Sequence, residues 1–218
     1  MNKETVRNRI AEFGVVPAVR VFSAEDALFA VDAVSASGLP IAEVTMTTPG
    51  AIKVISELAR SQPNLIVGAG TIVDIDVARR CLDAGAMFLT SPGLDLQVVE
   101  FAVKHNVVVF PGALTPSDVM AAWKAGSDFV KVFPCSVLGG VNYIRILRAP
   151  FPDIPLIASG GVTQTNVADF ILAGATGVGI GRDLISPEAV QRREVNWIRE
   201  LTRRFMQIVK DARLQRAA

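Results

Sequence analysis

The sequence predicts a single-domain (β/α)8 TIM barrel of the α/β class, extending over residues 1–218. Short apolar runs rich in β-branched residues alternate with segments of helical spacing, and eight such units recur at intervals of roughly 20–27 residues. No linker, low-complexity stretch or change of composition divides the chain. A doubly wound open sheet remains an alternative, because the number of strands does not by itself close a barrel.

Each unit begins with an apolar run that predicts a strand. These runs are 15–21, 42–46, 66–71, 88–93, 107–113, 129–134, 155–161 and 177–184. Helices are predicted between them, for example at Ala24–Ser37, Ile75–Ala84, Pro116–Ala125 and Thr165–Ala173. A glycine follows each of these four helices, where a left-handed C-cap is favourable.

Two further helices are predicted outside the repeating units. One precedes the first strand, and a long C-terminal helix is expected to begin at Ser186 and Pro187. Serine is a favourable N-cap, and proline suits the first helical position because its missing N–H is not needed there. The C-terminal helix has an apolar face at three-to-four-residue spacing, so it is expected to pack against the rest of the fold.

Composition limits the classes of partner. The net charge is +1 and 20% of residues are charged, which gives no indication of a nucleic-acid partner. No apolar run approaches the ~18 residues that a membrane span needs, and Met1–Phe13 lacks the apolar core of a signal peptide. These observations favour a cytoplasmic protein that binds neither nucleic acid nor membrane.

Metal-ligating residues are scarce in the sequence. Cys81 and Cys135 are far apart, and the single histidine, His105, is expected at the surface. The sequence therefore predicts neither a disulfide framework nor a metal site built on histidine or cysteine. A magnesium site made of carboxylates alone stays open at this stage.

One lysine interrupts an otherwise apolar strand. Lys131 stands in the middle of "DFVKVFP", residues 128–134. One interpretation is an edge-strand lysine whose amine reaches solvent along its aliphatic stem. The other is a desolvated amine that acts as a nucleophile toward a carbonyl carbon, because desolvation favours the neutral form of an amine.

The alternation of side chains along a strand places three charged residues inside the barrel. Ala42 and Val44 are expected to face the helices, so Glu43 points inward, and the same rule places Lys131 and Arg20 on inner faces. Thr71, Thr90 and Ser159 also lie late in their strands, at the end of a barrel where active sites are found. A purely structural ion-pair network is the alternative, although desolvation makes such networks poor stabilisers.

This set of charges fits carbonyl chemistry. Lys131 is the predicted nucleophile, and Glu43 is the predicted group that moves protons on and off an imine intermediate. Arg20 is the predicted partner of a keto-acid carboxylate, which a guanidinium can bind through two hydrogen bonds.

Several motifs resemble a known family in order and spacing. They are "EVTMTTPGA", "VGAGT", "SPG", "FPGALTP", "VKVFP" followed by "GG", and "SGGV". Together they resemble the 2-keto-3-deoxy-6-phosphogluconate and 4-hydroxy-2-oxoglutarate aldolase family over nearly the whole chain. The resemblance implies a class I aldolase, usually a homotrimer, that cleaves a 2-keto-4-hydroxy acid to pyruvate and an aldehyde without a dissociable cofactor.

The resemblance also implies roles for individual residues. Lys131 matches the Schiff-base lysine of the family, and Glu43 matches its general acid and base. Thr71 is implied to lie near the pyruvate carboxylate. The other residues implied to bind substrate are Pro92 of "SPG", Phe133, the "SGG" residues Ser159, Gly160 and Gly161 at the phosphate end, and Gly181, which completes that end.

The chain departs from the family pattern in two places. Thr47 stands where many members have an arginine that binds the substrate carboxylate, and Arg20 resembles the arginine that other members use instead. Arg182 and Asp183 follow Gly181, where the family often has a small serine. Asp183 is expected to disfavour a phosphate. Arg182 offsets this negative charge unless the strand continues as far as residue 182, in which case its side chain points to the opposite face. The alternative for Asp183 is that it caps the following turn.

Two other functions remain open at this stage. "ASGGV" and "GVGIG" are also compatible with a sugar-phosphate isomerase or a phosphate-binding barrel, but that class needs no amine nucleophile and leaves Lys131 unexplained. A non-catalytic barrel that binds a keto acid is the third interpretation, against which the pair of Lys131 and Glu43 argues.

Overall fold

The computed structural model describes residues 1–217, in which nine parallel strand segments form one sheet that curls into a barrel. The segments are β1 (Val15–Val19), β2 (Ile41–Thr45), β3 (Ile66–Gly70), β4 (Phe88–Thr90), β5 (Val108–Phe110), β6 (Gly112–Ala113), β7 (Val130–Val132), β8 (Leu156–Ser159) and β9 (Gly177–Ile180). Their order in the sheet is β5-β4-β3-β2-β1-β9-β8-β7-β6.

The barrel closes because β5 and β6 are two parts of one strand. Pro111 separates them and interrupts the ladder, since proline has no N–H to donate. β5 pairs with β4, β6 pairs with β7, and the carbonyl of Pro111 accepts a hydrogen bond from the backbone N–H of Lys131 at 2.9 Å. The predicted eight-stranded barrel is confirmed, and the open doubly wound sheet is wrong.

Helices follow the strands and cover the outside of the barrel. They are α1 (Lys3–Phe13), α2 (Ala24–Ser35), α3 (Ala51–Ser61), α4 (Ile75–Asp83), α5 (Leu96–Lys104), α6 (Pro116–Lys124), α7 (Val141–Arg148), α8 (Val167–Leu172), α9 (Pro187–Gln191) and α10 (Val195–Ala217). A short 3₁₀ turn, Cys135–Leu138, follows β7. The four glycines predicted to end helices all have positive φ, between 91° and 107°, which confirms the left-handed C-caps.

The C-terminal helix differs from its prediction. Ser186 is an N-cap that accepts a hydrogen bond from the N–H of Ala189, but it caps only the short helix α9. The chain then turns at Arg193, which has a φ of 53°, and the long helix α10 starts afresh at Val195. The Arg193 guanidinium lies 2.7 Å from Glu25 and 3.1 Å from Asp26 on α2. This long-range pairing holds the turn, and a local helical pattern does not reveal it.

An aromatic layer fills the interior of the barrel. The rings of Phe88 and Phe110 stack with centroids 5.1 Å apart, and Phe129 meets Phe110 edge-on at 5.5 Å. Gly68 makes room for this layer, because a Cβ there would lie 2.2 Å from the Phe88 ring. Phe88 lies two positions before Thr90 on β4, and Phe129, just before β7, lies two positions before Lys131. The aromatic layer therefore lies below these two polar residues, toward the N-terminal end of the barrel.

The strands end earlier than the apolar pattern predicts. β1 ends before Arg20, β3 ends before Thr71, and β9 ends at Ile180 although the apolar run of that unit extends to 184. Hydrophobic periodicity continues into loops that fold over the barrel, so the pattern alone does not mark where the strand hydrogen bonds stop. Several predicted site residues therefore lie in loops at the C-terminal end of the barrel.

Candidate active site

A cavity of about 270 Å³ opens at the C-terminal end of the barrel. Its wall includes all ten residues proposed from the sequence, namely Arg20, Glu43, Thr71, Pro92, Lys131, Phe133, Ser159, Gly160, Gly161 and Gly181. Three of them lie on strands β2, β7 and β8, and the other seven lie in the loops that follow strands. Parallel strands bring these loops to one rim, which is where barrel enzymes carry their chemistry.

The Lys131 side chain lines this cavity and is only 12% exposed. Its strand β7 is hydrogen-bonded on both sides, to β6 and to β8, so the edge-strand interpretation is wrong. The amine donates to the Thr90 hydroxyl at 3.4 Å and lies 5.3 Å from the centre of the Phe133 ring. The amine is therefore shielded from bulk water and open toward the cavity.

The Glu43 carboxylate is the acidic partner of this amine. Its side chain is 4% exposed, and Oε1 lies 4.0 Å from Lys131 Nζ. β2 pairs with β1 and β3, which places Glu43 beside Ala18 and Gly68. At 4.0 Å the two groups attract each other without forming a short direct hydrogen bond.

Thr71 sits at the rim in a strained backbone conformation. Its φ is 64°, in the left-handed region that β-branched residues rarely adopt. Such outliers persist only where the surrounding structure holds them, and they are frequent at binding sites. The strain is consistent with a residue whose orientation serves the cavity.

The opposite side of the rim is built from glycine. Gly160 and Gly161 have φ values of 81° and 90°, and the Gly160 carbonyl accepts a hydrogen bond from the Ser136 N–H. A Cβ at Gly161 would lie 2.5 Å from the Ser136 Cβ, so a side chain does not fit there. The next helix, α8, begins only at Val167, two residues after its predicted start at Thr165. The turn thus offers loop N–H groups to the cavity and no helix terminus.

Arg182 and Asp183 both line the cavity, and both are exposed. β9 ends at Ile180, so the strand does not continue as far as Arg182 and strand alternation does not turn its side chain to the opposite face. The backbone turns here instead, with the Leu184 N–H donating to the Gly181 carbonyl at 3.0 Å. The far end of the cavity therefore carries one positive and one negative side chain.

Comparison with known proteins assigns the family. Residues 6–201 match the aldolase family described as KDPG and KHG aldolase. The chain belongs to this aldolase family. It is therefore a lyase, a class I pyruvate aldolase, and it has the barrel fold of that family.

Relatives of this aldolase cover most of its length. The 2-dehydro-3-deoxy-phosphogluconate aldolase of Pseudomonas aeruginosa is 33% identical over 82% of this chain and 81% of its own. The KHG/KDPG aldolase of Escherichia coli is 30% identical over 90% of this chain and 92% of its own. A solved structure of the KDPG aldolase from Legionella pneumophila, with pyruvate captured as a covalent carbinolamine, superimposes with a TM-score of 0.84 at 28% identity and covers 90% of this chain and 96% of that one.

Thr47, which replaces an arginine common in the family, lies outside the cavity wall of this aldolase. Its hydroxyl is 2.9 Å from the Thr45 hydroxyl, and Thr45 in turn donates to the Val19 carbonyl. Arg20 is exposed and lines the cavity on the same side of the barrel. A cation is thus available to a carboxylate although the arginine at position 47 is missing.

The other nucleophile near the site is unsuited to catalysis. Cys135 is buried next to the phenylalanine and proline that follow β7, and its thiol donates to the Val132 carbonyl at 3.0 Å. Burial raises the pKa of this thiol to about 11, so the reactive thiolate is scarce at neutral pH.

His105 is exposed at the end of α5, as expected.

Residues 1–217 contain no cluster of three or more His, Cys, Asp or Glu side chains arranged to hold a metal ion. In the same range, no helix has both the length and the apolar character that crossing a membrane requires.

Sequence reasoning missed part of the cavity wall. Gly179 and Val162 line it, and Ala18 and Ile185 do so as well. The hydrogen bond from Lys131 to Thr90 was also not predicted, although alternation places Thr90 at the correct end of β4. The spacing of Thr90 two residues after the inward-facing Phe88 indicates that Thr90 also faces the interior. Whether Thr90 on β4 reaches Lys131 on β7 depends on how the barrel closes.

Proposed function

We propose that this aldolase cleaves a 2-keto-4-hydroxy acid through a Schiff base on Lys131. The observation that supports the proposal most strongly is the pairing of a shielded amine with a buried carboxylate 4.0 Å away, at the C-terminal end of the barrel. A sugar-phosphate isomerase would need no such amine, and a purely binding barrel would need no proton carrier beside it.

The proposed reaction begins when the Lys131 amine attacks the C2 ketone to form a carbinolamine, which loses water to give a protonated imine. The C4 hydroxyl then loses its proton, the C3–C4 bond breaks, and its electrons move into the imine to form an enamine while the aldehyde departs. A proton added to C3 converts the enamine back to an imine, and water releases pyruvate. We assign these proton transfers to Glu43, acting directly or through a water molecule.

The remaining cavity residues are proposed to hold the substrate. Arg20 and Thr71 bind the substrate carboxylate, and Pro92 and Phe133 form the apolar sides of the pyruvate pocket. At the far end, Ser159, Gly160, Gly161 and Gly181 surround the distal group of the substrate. The support for this arrangement is that all of these residues line one cavity around Lys131.

Arg20→Leu is expected to weaken binding of the keto acid. The cost is about 1.5–3 kcal/mol for a charged hydrogen bond, toward the lower figure because Arg20 is exposed. The measurement is KM for the keto acid together with the pyruvate concentration that half-saturates borohydride trapping. Arg182→Leu is the matched control for the pyruvate trapping measurement, since pyruvate has no distal group to reach Arg182. An unchanged KM in Arg20→Leu would make Arg20 structural.

A retro-aldol screen tests the proposed reaction. Purified protein is incubated with phosphorylated and unphosphorylated 2-keto-3-deoxy acids, and pyruvate is detected with a coupled dehydrogenase. Stoichiometric release of pyruvate and aldehyde is expected from at least one substrate. Absence of pyruvate from the whole set, in a protein that is folded by circular dichroism, overturns the proposed reaction.

We further propose that an unphosphorylated acid is at least as good a substrate as the 6-phosphate. The Asp183 carboxylate at the far end of the cavity repels a phosphate dianion, although Arg182 offsets part of this repulsion. In the same screen, kcat/KM is compared for the two substrates. A preference for the phosphate above roughly 100-fold, about 2.7 kcal/mol, contradicts the proposal. Asp183→Ser is expected to raise kcat/KM for the phosphate alone.

We also propose a homotrimer that acts in carbohydrate metabolism in the cytoplasm. The family resemblance is one support. The other is that apolar side chains in loops at the catalytic end are exposed in the single chain, among them Phe22, Val73 and Val137. Light scattering that finds three times the 23.2 kDa chain mass would support this assembly.

A further inference from the structure

The Glu43 side chain lies against a glycine of the neighbouring strand. Gly70 is the last residue of β3 and pairs with Thr45 of β2. A Cβ built on Gly70 would lie 1.9 Å from Glu43 Oε1, 2.5 Å from its Cδ and 2.7 Å from its Cγ. Real Cβ atoms do not approach other atoms this closely, so the carboxylate occupies space that exists only because residue 70 has no side chain.

Backbone conformation does not explain this glycine. Gly70 is not among the glycines of positive φ, so an L-residue can adopt its backbone angles. The next residue, Thr71, does have a positive φ and is nevertheless a threonine. The chain thus places glycine where conformational freedom is not needed, and space for Glu43 is the remaining requirement.

We propose that Gly70 is a positioning residue, which sets how far the Glu43 carboxylate extends toward Lys131. Within residues 1–217, Lys131 is the one charged group within 4.0 Å of this carboxylate, so packing on Gly70 rather than a set of hydrogen bonds fixes its place. Any larger residue at position 70 displaces the carboxylate from the 4.0 Å separation. The catalytic consequence rests on the proposed function, whereas the packing relation does not.

Gly68 provides a matched comparison on the same strand. Its missing side chain leaves room for the Phe88 ring, since a Cβ on Gly68 would lie 2.2 Å from that ring, and Glu43 is not among its nearest atoms. Gly68→Ala should therefore destabilise the protein without acting through Glu43. Gly93 is the second comparison, because a Cβ there meets nothing within 4 Å.

A thermal-stability cycle tests the packing relation without any need for activity. Tm is measured for the wild type, Gly70→Ala, Glu43→Ala and the double variant. Gly70→Ala is expected to lower Tm, and the same change should cost little once Glu43→Ala has removed the overlapping atoms. The loss in Gly68→Ala should persist in the Glu43→Ala background, and Gly93→Ala should leave Tm unchanged. An equal loss from Gly70→Ala in both backgrounds overturns the proposal.

Kinetics then test the effect on proton transfer, on whichever substrate the screen identifies. Gly70→Ala is expected to lower kcat by about 100-fold while KM changes less than about threefold, because the carboxylate moves but the binding groups stay. In the Glu43→Ala background, Gly70→Ala should cause no further loss of kcat. A kcat within about threefold of wild type overturns the proposal. If Gly70→Ala does not fold, the proposal requires that the double variant with Glu43→Ala does fold. Failure of both variants to fold also overturns the proposal.

Discussion

Lys131→Met is expected to lose retro-aldol turnover by orders of magnitude while the fold survives. Methionine fills a similar volume above the aromatic layer of Phe88, Phe110 and Phe129, but it cannot attack a ketone. Two effects on stability oppose each other, because removing the buried amine relieves its desolvation but leaves the Glu43 carboxylate without its partner. Tm and far-ultraviolet circular dichroism measure whether the fold is kept.

Chemical trapping identifies the nucleophile directly. Pyruvate and borohydride should leave a permanent adduct on the peptide that contains Lys131 and abolish activity, whereas Lys131→Met should take up no label. Lys124→Met is the control, since Lys124 is an exposed lysine of α6 and its loss should change neither labelling nor rate. A label on another lysine, or no label at all, excludes the Schiff-base mechanism proposed for Lys131.

Glu43→Gln is expected to lower kcat on the order of 10²–10⁴-fold. Glutamine keeps the shape that fits against Gly70, so the change removes the proton-carrying group and little else. Borohydride trapping should also slow, because dehydration of the carbinolamine needs a proton donor. The measurements are single-turnover pyruvate release and the rate of labelling at fixed pyruvate concentration.

A matched control separates this effect from a general loss of charge. Glu57 lies exposed on α3, and Glu57→Gln should leave kcat unchanged. Near-normal kcat in Glu43→Gln would mean that another residue or a water molecule carries the proton, and the search would then turn to groups around the cavity such as Thr90, which already contacts the amine.

Strand alternation is sufficient to orient the central residues. Glu43 and Lys131 each stand between two apolar residues that must face the helices. Because side chains alternate along a strand, the side chains of Glu43 and Lys131 have to point inward. The same rule cannot state a distance between them. Their 4.0 Å separation depends on the stagger of β2 and β7, which lie on different parts of the closed sheet.

Strand and helix rules apply only within the elements themselves. Strand alternation would direct Arg182 away from the cavity if the strand reached it, but β9 ends at Ile180 and Arg182 lines the cavity. The capping pattern starts the long C-terminal helix at Ser186, but the ion pairs of Arg193 with α2 stabilise a break after α9. At Arg193, contacts with residues distant in sequence override the local helical pattern. At Arg182, the length of the strand decides whether alternation applies.

Periodicity and motifs read along the chain were enough to predict the eight-unit architecture, the family and the inward orientation of Glu43 and Lys131. The division of the fifth strand at Pro111 and the contact of Thr90 with the amine are visible only in the folded barrel. The same is true of the space that Gly70 leaves for the Glu43 carboxylate. These relations join neighbouring or distant strands, and their distances arise from barrel closure and packing, which no single segment encodes.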